Sequence, residues 1–210
     1  MVTLRMPAHV GFFLAAFLSL VIGAGILMVS RVSQATPSVG ALAPDFKGTD
    51  SNGKTQTLSD YRGSIVVLEW TNHDCPFVRK HYDSSNMQGL QKDATAQKVV
   101  WLSIISSAPG QQGHVTAKEA NDLTAKRKAF PSAVILDPEG KIGRLYDART
   151  TPHMYVIDKE GKLAYMGGID DIKSNKIADV AKANNYVRPA IAAVQAGKNP
   201  KISSATPYGC

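Results

Sequence analysis

IVVLEWTNHDCPFV, residues 65–78, decides how the rest of the chain is read. Ile65 to Trp70 is a near-continuous apolar run broken only by Glu69. Such a run suits a strand buried on both faces, as in sheets covered by helices on each side. Four residues of polar loop follow, then Cys75 and Pro76. Proline is favoured at the first position of a helix, where its missing N–H is not needed, so Cys75 falls just before a helix and just beyond a strand end. Ligand sites of α/β sheets gather at the carboxyl ends of strands, which lifts this cysteine above a packing residue.

Working outward from this unit, strand and helix signals alternate. TPSVGALAPDF leads in, and KTQTLSDYRGS reads as a short polar strand and turn. A helix is expected from Pro76 to about Thr95, then a second buried strand, KVVWLSII, over Lys98–Ile105. The stretch from Ser106 to Val115 is a loop rich in Ser, Pro, Gly and Gln. Thr116 and Glu119 have the T-x-x-E spacing of a capping box and open a helix to about Ala129. SAVILD is a third strand and GKIGRLYDA a short helix. HMYVID, the turn KEGK and LAYMGGID form a hairpin. A last helix is expected from Ile177 to Ala196, stopped by Gly197, with KNPKISSATPYGC as an extended tail. The pattern predicts an α/β fold, a central mixed β-sheet flanked by helices. Domain boundaries follow as 36–42 for a linker, 43–196 for the domain and 197–210 for the tail carrying Cys210.

The first 35 residues stand apart. Val10 to Val29 is twenty residues without a charge, behind Arg5 and ahead of a Ser/Gln/Thr/Pro linker. A cleaved signal peptide fits, with Ser33-Gln34-Ala35 as a small-residue cleavage site. An uncleaved membrane anchor fits as well, because roughly 20 apolar residues span a bilayer and signal h-regions usually run roughly 7 to 15. Either way an N-terminal hydrophobic helix and an exported, periplasmic or extracytoplasmic domain are expected. The formal charge of +7 includes Arg5 and Arg31 from this segment. The other basic residues are scattered apart from KRK at 126–128, and no basic stripe interleaved with aromatics points to nucleic acid.

The chain has two cysteines, Cys75 and Cys210, which form either a stapling disulfide or a redox pair. A helix N-terminus favours a thiolate, and His73 and His81 lie near Cys75 in sequence. Glu69 is costly to bury without partners. It is read either as a buried acid able to pass protons to the thiol or as a side chain tipping to solvent. Thr151-Pro152 precedes a buried strand. A cis bond there costs little and would present the Thr151 backbone beside Cys75, while a trans proline opening the strand is the commoner outcome.

These residues resemble a known group. TLSDYRGS-IVVLEW-TNHDCPFV with TTPHMYVID-KEGKLAY is similar to the thioredoxin-fold redoxin family, which includes AhpC/TSA antioxidant proteins and exported thiol–disulfide reductases. CPFVRKHY and PYGC look closest to its peroxiredoxin-like members. The resemblance spans roughly residues 41–190 and implies a thioredoxin-like fold. It makes Cys75 the nucleophile, Glu69 the buried acid, Pro152 the cis-proline and Thr151 the residue whose backbone pairs with substrate. Two departures stand out. Val78 occupies the place of a second local cysteine. Leu68 and Asn72 occupy the Pro and Thr places of the peroxidatic pattern, with Thr71 one position early; the family's arginine falls near Pro152, leaving Arg149 as the substitute only if its loop curls back.

The resemblance implies an exported thiol-dependent oxidoreductase serving antioxidant peroxide reduction and redox homeostasis. Cys75 is the nucleophile, Cys210 the candidate resolving thiol, and Thr71 and Arg149 the groups that polarise the peroxide. The alternative is thiol–disulfide exchange on protein disulfides. An external thiol, such as a thioredoxin-like donor, would return either cycle to its start, and no cofactor is called for. Two lesser readings are a copper carrier using Cys75 with His73, His81 or His153, and a redox-inactive binding domain.

Overall fold

The computed structural model describes residues 1–3 and 36–210. The hydrophobic stretch expected as a helix, and with it the signal or anchor reading of residues 1–35, lies outside the described residues. Among the described residues no helix is long and apolar enough to cross a membrane.

The apolar run becomes strand β3 (Val66–Trp70), flanked by β4 (Val100–Ile105) in parallel and β6 (His153–Ile157) antiparallel. Side chains of a strand alternate between faces, and the run divides accordingly. Val67 faces a core with Cys75, Val78, Leu90, Trp101 and Ile191, under α1 (Pro76–Asp83), α2 (Asn86–Ala96) and α5 (Val187–Gln195). Val66, Leu68 and Trp70 face an opposite core with Phe46, Ile142, Tyr146 and Tyr155, under α4 (Lys141–Leu145). Both faces are covered, so the strand needs no polar alternation. Strand β5 (Ala133–Leu136) pairs parallel with β4, and β7 (Leu163–Gly167) antiparallel with β6. The helix opened by Thr116 is α3 (Ala117–Lys126), and its capping box is present with both reciprocal bonds.

The seven-stranded mixed sheet has the order β2-β1-β5-β4-β3-β6-β7. Its first two members are β1 (Lys47–Asp50) and β2 (Thr55–Thr57). Strand β1 was not expected. Its polar residues give no apolar signal, yet it pairs antiparallel with both β2 and β5, and a Cβ at Gly48 would meet Ile135 at 2.7 Å. The outer edge of β7 is covered by two segments. Gly40 donates to the Leu163 carbonyl and Leu163 to that of Ala41; farther along, Met166 donates to Ser203 and Ala205 to Met166.

Two expected helices are broken. The helix from Pro76 to Thr95 divides at Ser84-Ser85, where Ser85 adopts a left-handed conformation with φ 60°. Short polar side chains compete for backbone groups and favour such interruptions. The last helix divides into a 3-10 turn at Ile177–Lys182 and α5, separated by Asn184-Asn185. There Asp171 binds the Asn184 backbone N–H at 2.8 Å, and the Asn185 side chain accepts from the Arg188 N–H at 2.8 Å.

Candidate active site

Strand β3 delivers the chain to a tight loop, Thr71 to Asp74. Asn72 shapes it: its side-chain oxygen accepts the Asp74 N–H at 2.9 Å, and its backbone carbonyl accepts the Cys75 N–H at 3.2 Å. Its amide donates across to the Gln112 carbonyl at 3.3 Å, tying down the loop that follows β4. Gly113 sits directly against it, with φ +83° and space for no side chain, since a Cβ would approach Asn72 to 2.3 Å. The residue at the peroxidatic threonine position is therefore a loop fastener.

Cys75 is the N-cap of α1, with Pro76 at the first helical position, as expected. It is fully buried. No helix N–H bonds its side chain, so the helix acts on a thiolate through its macrodipole and not through a direct donor. Its sulfur lies 3.1 Å from the Thr151 carbonyl oxygen. The Thr151–Pro152 bond is cis.

Cys75 is joined to Cys210 in a disulfide with Cα atoms 5.9 Å apart. Cys210 also pairs with Thr151 through the backbone in both directions. The Thr151 N–H donates to the Cys210 carbonyl at 3.1 Å, and the Cys210 N–H to the Thr151 carbonyl at 3.3 Å. The last residues thus lie along the proline loop like an added strand. Gly209 makes this possible: its φ is +144°, and a Cβ there would meet the Thr151 oxygen at 2.0 Å. The segment expected as an extended tail is extended and packed onto the domain.

Glu69 is buried, and both carboxyl oxygens are engaged. The Tyr82 hydroxyl donates to one at 2.9 Å; Trp101 Nε1 at 2.8 Å, Gln91 Nε2 at 3.0 Å and Ser103 Oγ at 3.0 Å donate to the other. Burial, with the Glu69 carboxyl beside it, pushes the Tyr82 hydroxyl well above its ordinary value and keeps it a donor. Of the two readings of Glu69, the buried one holds. Among the described hydrogen bonds, however, none joins it to Cys75, and its four partners fasten α1, α2 and β4 together.

Thr71 is buried, and its hydroxyl has no partner among the described residues. It lines a cleft of about 270 Å³ together with Trp70, Asn72, Arg149, Thr151 and Cys210. Arg149 does not curl toward the cysteine. Its guanidinium donates twice to Asp147, at 2.8 and 3.0 Å, and is mostly exposed. The structure therefore brings together Cys75, Thr151, Pro152 and Cys210, sets Thr71 in the adjoining cleft, and leaves Glu69 in a separate network.

The three histidines offered to a metal diverge. His73 Nε2 is 3.4 Å from Asp74, His81 Nδ1 is 2.9 Å from the Asn86 amide, and His153 Nδ1 is 3.2 Å from the Tyr155 hydroxyl. Burial pushes His81 down to about 3, with the Lys80 charge adding to the effect. Burial takes His153 down to about 4, against the Asp147 charge that pulls it up. Among the described residues no three His, Cys, Asp or Glu side chains come together in a way that could hold a metal ion.

The family model for AhpC/TSA matches residues 39–166, more than half of the chain. The chain belongs to the AhpC/TSA family. Thiol-disulfide oxidoreductase ResA of Geobacillus kaustophilus is 26% identical over 133 residues, 60% of this chain and 67% of that protein. Peroxiredoxin Bcp of Bacillus subtilis is 27% identical over 148 residues, 61% of this chain and 83% of that protein. The crystal structure of an uncharacterized conserved protein from Geobacillus kaustophilus has the same fold. It shares 22% identity at a TM-score of 0.70, over 82% of this chain and 90% of that one. Membership of AhpC/TSA brings the thioredoxin-like fold and the oxidoreductase class expected from the sequence. Relatives named for peroxide chemistry and for disulfide chemistry both match, so membership alone does not choose the oxidant.

Besides its cysteine, PYGC contributes Tyr208, which no motif marks as part of the site. That side chain is buried against Phe77, 5.9 Å between ring centroids, and its hydroxyl bonds Lys80 and Asp170. The signal was available in the presence of an aromatic within a Pro/Gly-flanked tail, but its partners are remote in sequence.

Proposed function

We propose that this AhpC/TSA protein reduces small peroxides with Cys75 as the attacking thiolate and Cys210 as the resolving thiol. The thiolate attacks the O–O bond; Cys75 becomes a sulfenic acid and the peroxide leaves as an alcohol, or as water, after taking up a proton. Condensation of the sulfenic acid with the Cys210 thiol forms the Cys75–Cys210 disulfide and releases water. Two external thiols then reduce that disulfide and leave as a disulfide of their own.

The observation that carries the reading is the seat of Cys210 on the Thr151 backbone. An extended protein disulfide would need that same edge. With the edge occupied, a small oxidant is the better fit: the adjoining cleft is lined by Thr71, Thr151 and Cys210, next to the buried Cys75.

Thiol–disulfide exchange is the second reading. It is favoured by the same backbone pairing if the segment leaves when reduced, because Cys210 would then be standing where a substrate cysteine docks. The ResA similarity supports this chemistry.

One experiment separates them. Reduced protein is mixed with one equivalent of hydrogen peroxide, and separately with oxidised insulin, and Cys75 is followed by mass spectrometry. Formation of the Cys75–Cys210 disulfide with peroxide in seconds, and of a dimedone-trapped sulfenic acid in Cys210→Ser, supports peroxide reduction. Reaction with insulin alone selects exchange. A Cys75→Ser variant as active as wild type in both would remove both readings.

Export remains part of the proposal, supported by the uncharged stretch 10–29. Cell fractionation with N-terminal sequencing tests it; recovery of uncleaved protein from the cytosol alone would refute it.

A further inference from the structure

Lys80 lies on α1, five residues beyond Cys75, and its side chain is completely buried. A buried ammonium must be compensated by acceptors. Lys80 Nζ has three: the Ile172 carbonyl at 3.1 Å, the Tyr208 hydroxyl at 3.0 Å, and Asp170 Oδ2 at 3.8 Å. It also sits 5.0 Å from the centre of the Tyr208 ring. The Tyr208 hydroxyl donates in turn to Asp170 Oδ1, closing a triangle of one cation, one acid and one phenol. Two members belong to the domain. The third is two residues from Cys210.

Next to this triangle the domain is relieved for the segment's backbone. Gly167 has φ +145°, and a Cβ there would meet the Ala205 oxygen at 2.1 Å. None of these contacts involves the disulfide.

We infer that Lys80, Asp170 and Tyr208 form an anchor that keeps residues 203–210 seated when Cys75 and Cys210 are reduced, making Tyr208 the positioning residue for the resolving thiol. The inference rests on the reading of Cys210 as the partner of Cys75. Its consequence for the cycle is that condensation follows attack without a search, because the second thiol is already against Thr151. The same seat keeps the Thr151 edge closed to polypeptide substrates. Without the Tyr208 hydroxyl, Lys80 and Asp170 would each lose a buried hydrogen-bond partner.

The test is the equilibrium of the full chain with reduced and oxidised glutathione, read as the fraction of Cys75–Cys210 disulfide by alkylation and mass spectrometry. Tyr208→Phe should lower the effective concentration of one thiol at the other by about tenfold, as loss of a buried hydrogen bond requires. Tyr208→Ala, which also loses the contact with Phe77, should lower it by about a hundredfold. Asp170→Asn should fall between wild type and Tyr208→Phe. A purely structural role predicts a different pattern, with thermal midpoints of oxidised and reduced protein falling together and the glutathione equilibrium unmoved. Variants within twofold of wild type would overturn the anchor.

A second arm uses hydrogen peroxide and dimedone: slower condensation in Tyr208→Phe should raise trapped Cys75 sulfenic acid by about tenfold, and unchanged trapping counts against the anchor. The glutathione equilibrium involves no peroxide. The anchor can therefore fail while peroxide reduction stands, and wild type that ignores peroxide would sink that function while leaving the equilibrium result intact.

Discussion

Replacing Glu69 by alanine should be among the most damaging single changes in this domain, and the structure says by how much. Four donors would lose their acceptor: Tyr82, Gln91, Trp101 and Ser103, all buried. A buried donor left without a partner costs about 1–3 kcal/mol. The four are not equal. The Ser103 hydroxyl can rotate, and Gln91 Nε2 already lies 3.2 Å from the Tyr82 oxygen, which can accept from it. The Trp101 N–H is fixed by its ring and has no other acceptor among the described residues. Counting Trp101 in full and the others in part gives about 3–5 kcal/mol, a large share of the roughly 5–15 kcal/mol that holds a domain folded. Glu69→Gln is the control. Its amide oxygen can replace the carboxyl oxygen that receives three donors, while its NH₂ faces a Tyr82 hydroxyl that turns from donor to acceptor; about 1 kcal/mol is expected. Urea unfolding followed by far-ultraviolet circular dichroism measures both. An alanine variant within about 1 kcal/mol of wild type at unchanged m-value would refute the network's role. So would equal losses in the two variants. Because no described hydrogen bond joins Glu69 to Cys75, Glu69→Gln should also keep the pH profile of Cys75 alkylation. A shifted profile would restore the proton-transfer role that the sequence position suggested.

Opening the Cys75–Cys210 bridge, which spans 135 residues, should cost up to about 5 kcal/mol by loop-closure entropy; a double alanine variant as stable as oxidised wild type would contradict this. Stability should fall on acidification. The folded chain holds His153 near 4 while the unfolded imidazole titrates near 6.5, so the unfolded state takes up the proton first and up to about 3 kcal/mol is lost between these values. His81 acts in the same direction down to about pH 3. His153→Gln should flatten the urea midpoint against pH over that window, and an unchanged slope would count against it. Thr116→Ala removes the capping box of α3 and should cost about 1 kcal/mol in thermal or urea unfolding; no change would mean the cap is idle in the folded protein.

Residues whose environment is set by their own neighbours were legible in the sequence. The Ile65–Trp70 run, the Thr116–Glu119 cap and the Cys75-Pro76 helix start each depend on side chains a few positions apart. The serine pair at 84–85 and the asparagine pair at 184–185 carry a local signal too, but a helical periodicity continuing on both sides masked it. Strand β1 was hidden for another reason. Lys47-Gly48-Thr49-Asp50 is polar, and what makes it a strand is the pairing offered by β5, far along the chain. The site shows the same division. Cys75, Thr151 and Pro152 could be placed from motifs. The triangle that seats Cys210 could not, because Tyr208 meets Asp170 across 38 residues and Lys80 across 128. At Arg149 a local partner decides the outcome: Asp147, two residues away, accepts from its guanidinium at 2.8 Å.

The two segments that cover the outer side of β7 have a bearing on how this protein behaves in a crowded solution. A sheet margin with free N–H and C=O groups is a template for another chain's strand, and natural proteins blunt or cover it. Here Leu163 and Met166 already spend their outward groups on residues 40–41 and 203–205. The opposite margin is the three-residue, polar β2. Self-association by strand addition is thus discouraged at both borders, and at one of them by the segment that carries the second thiol. Changes that peel residues 203–210 away would expose an adhesive border along with a reactive cysteine, linking loss of this segment to aggregation.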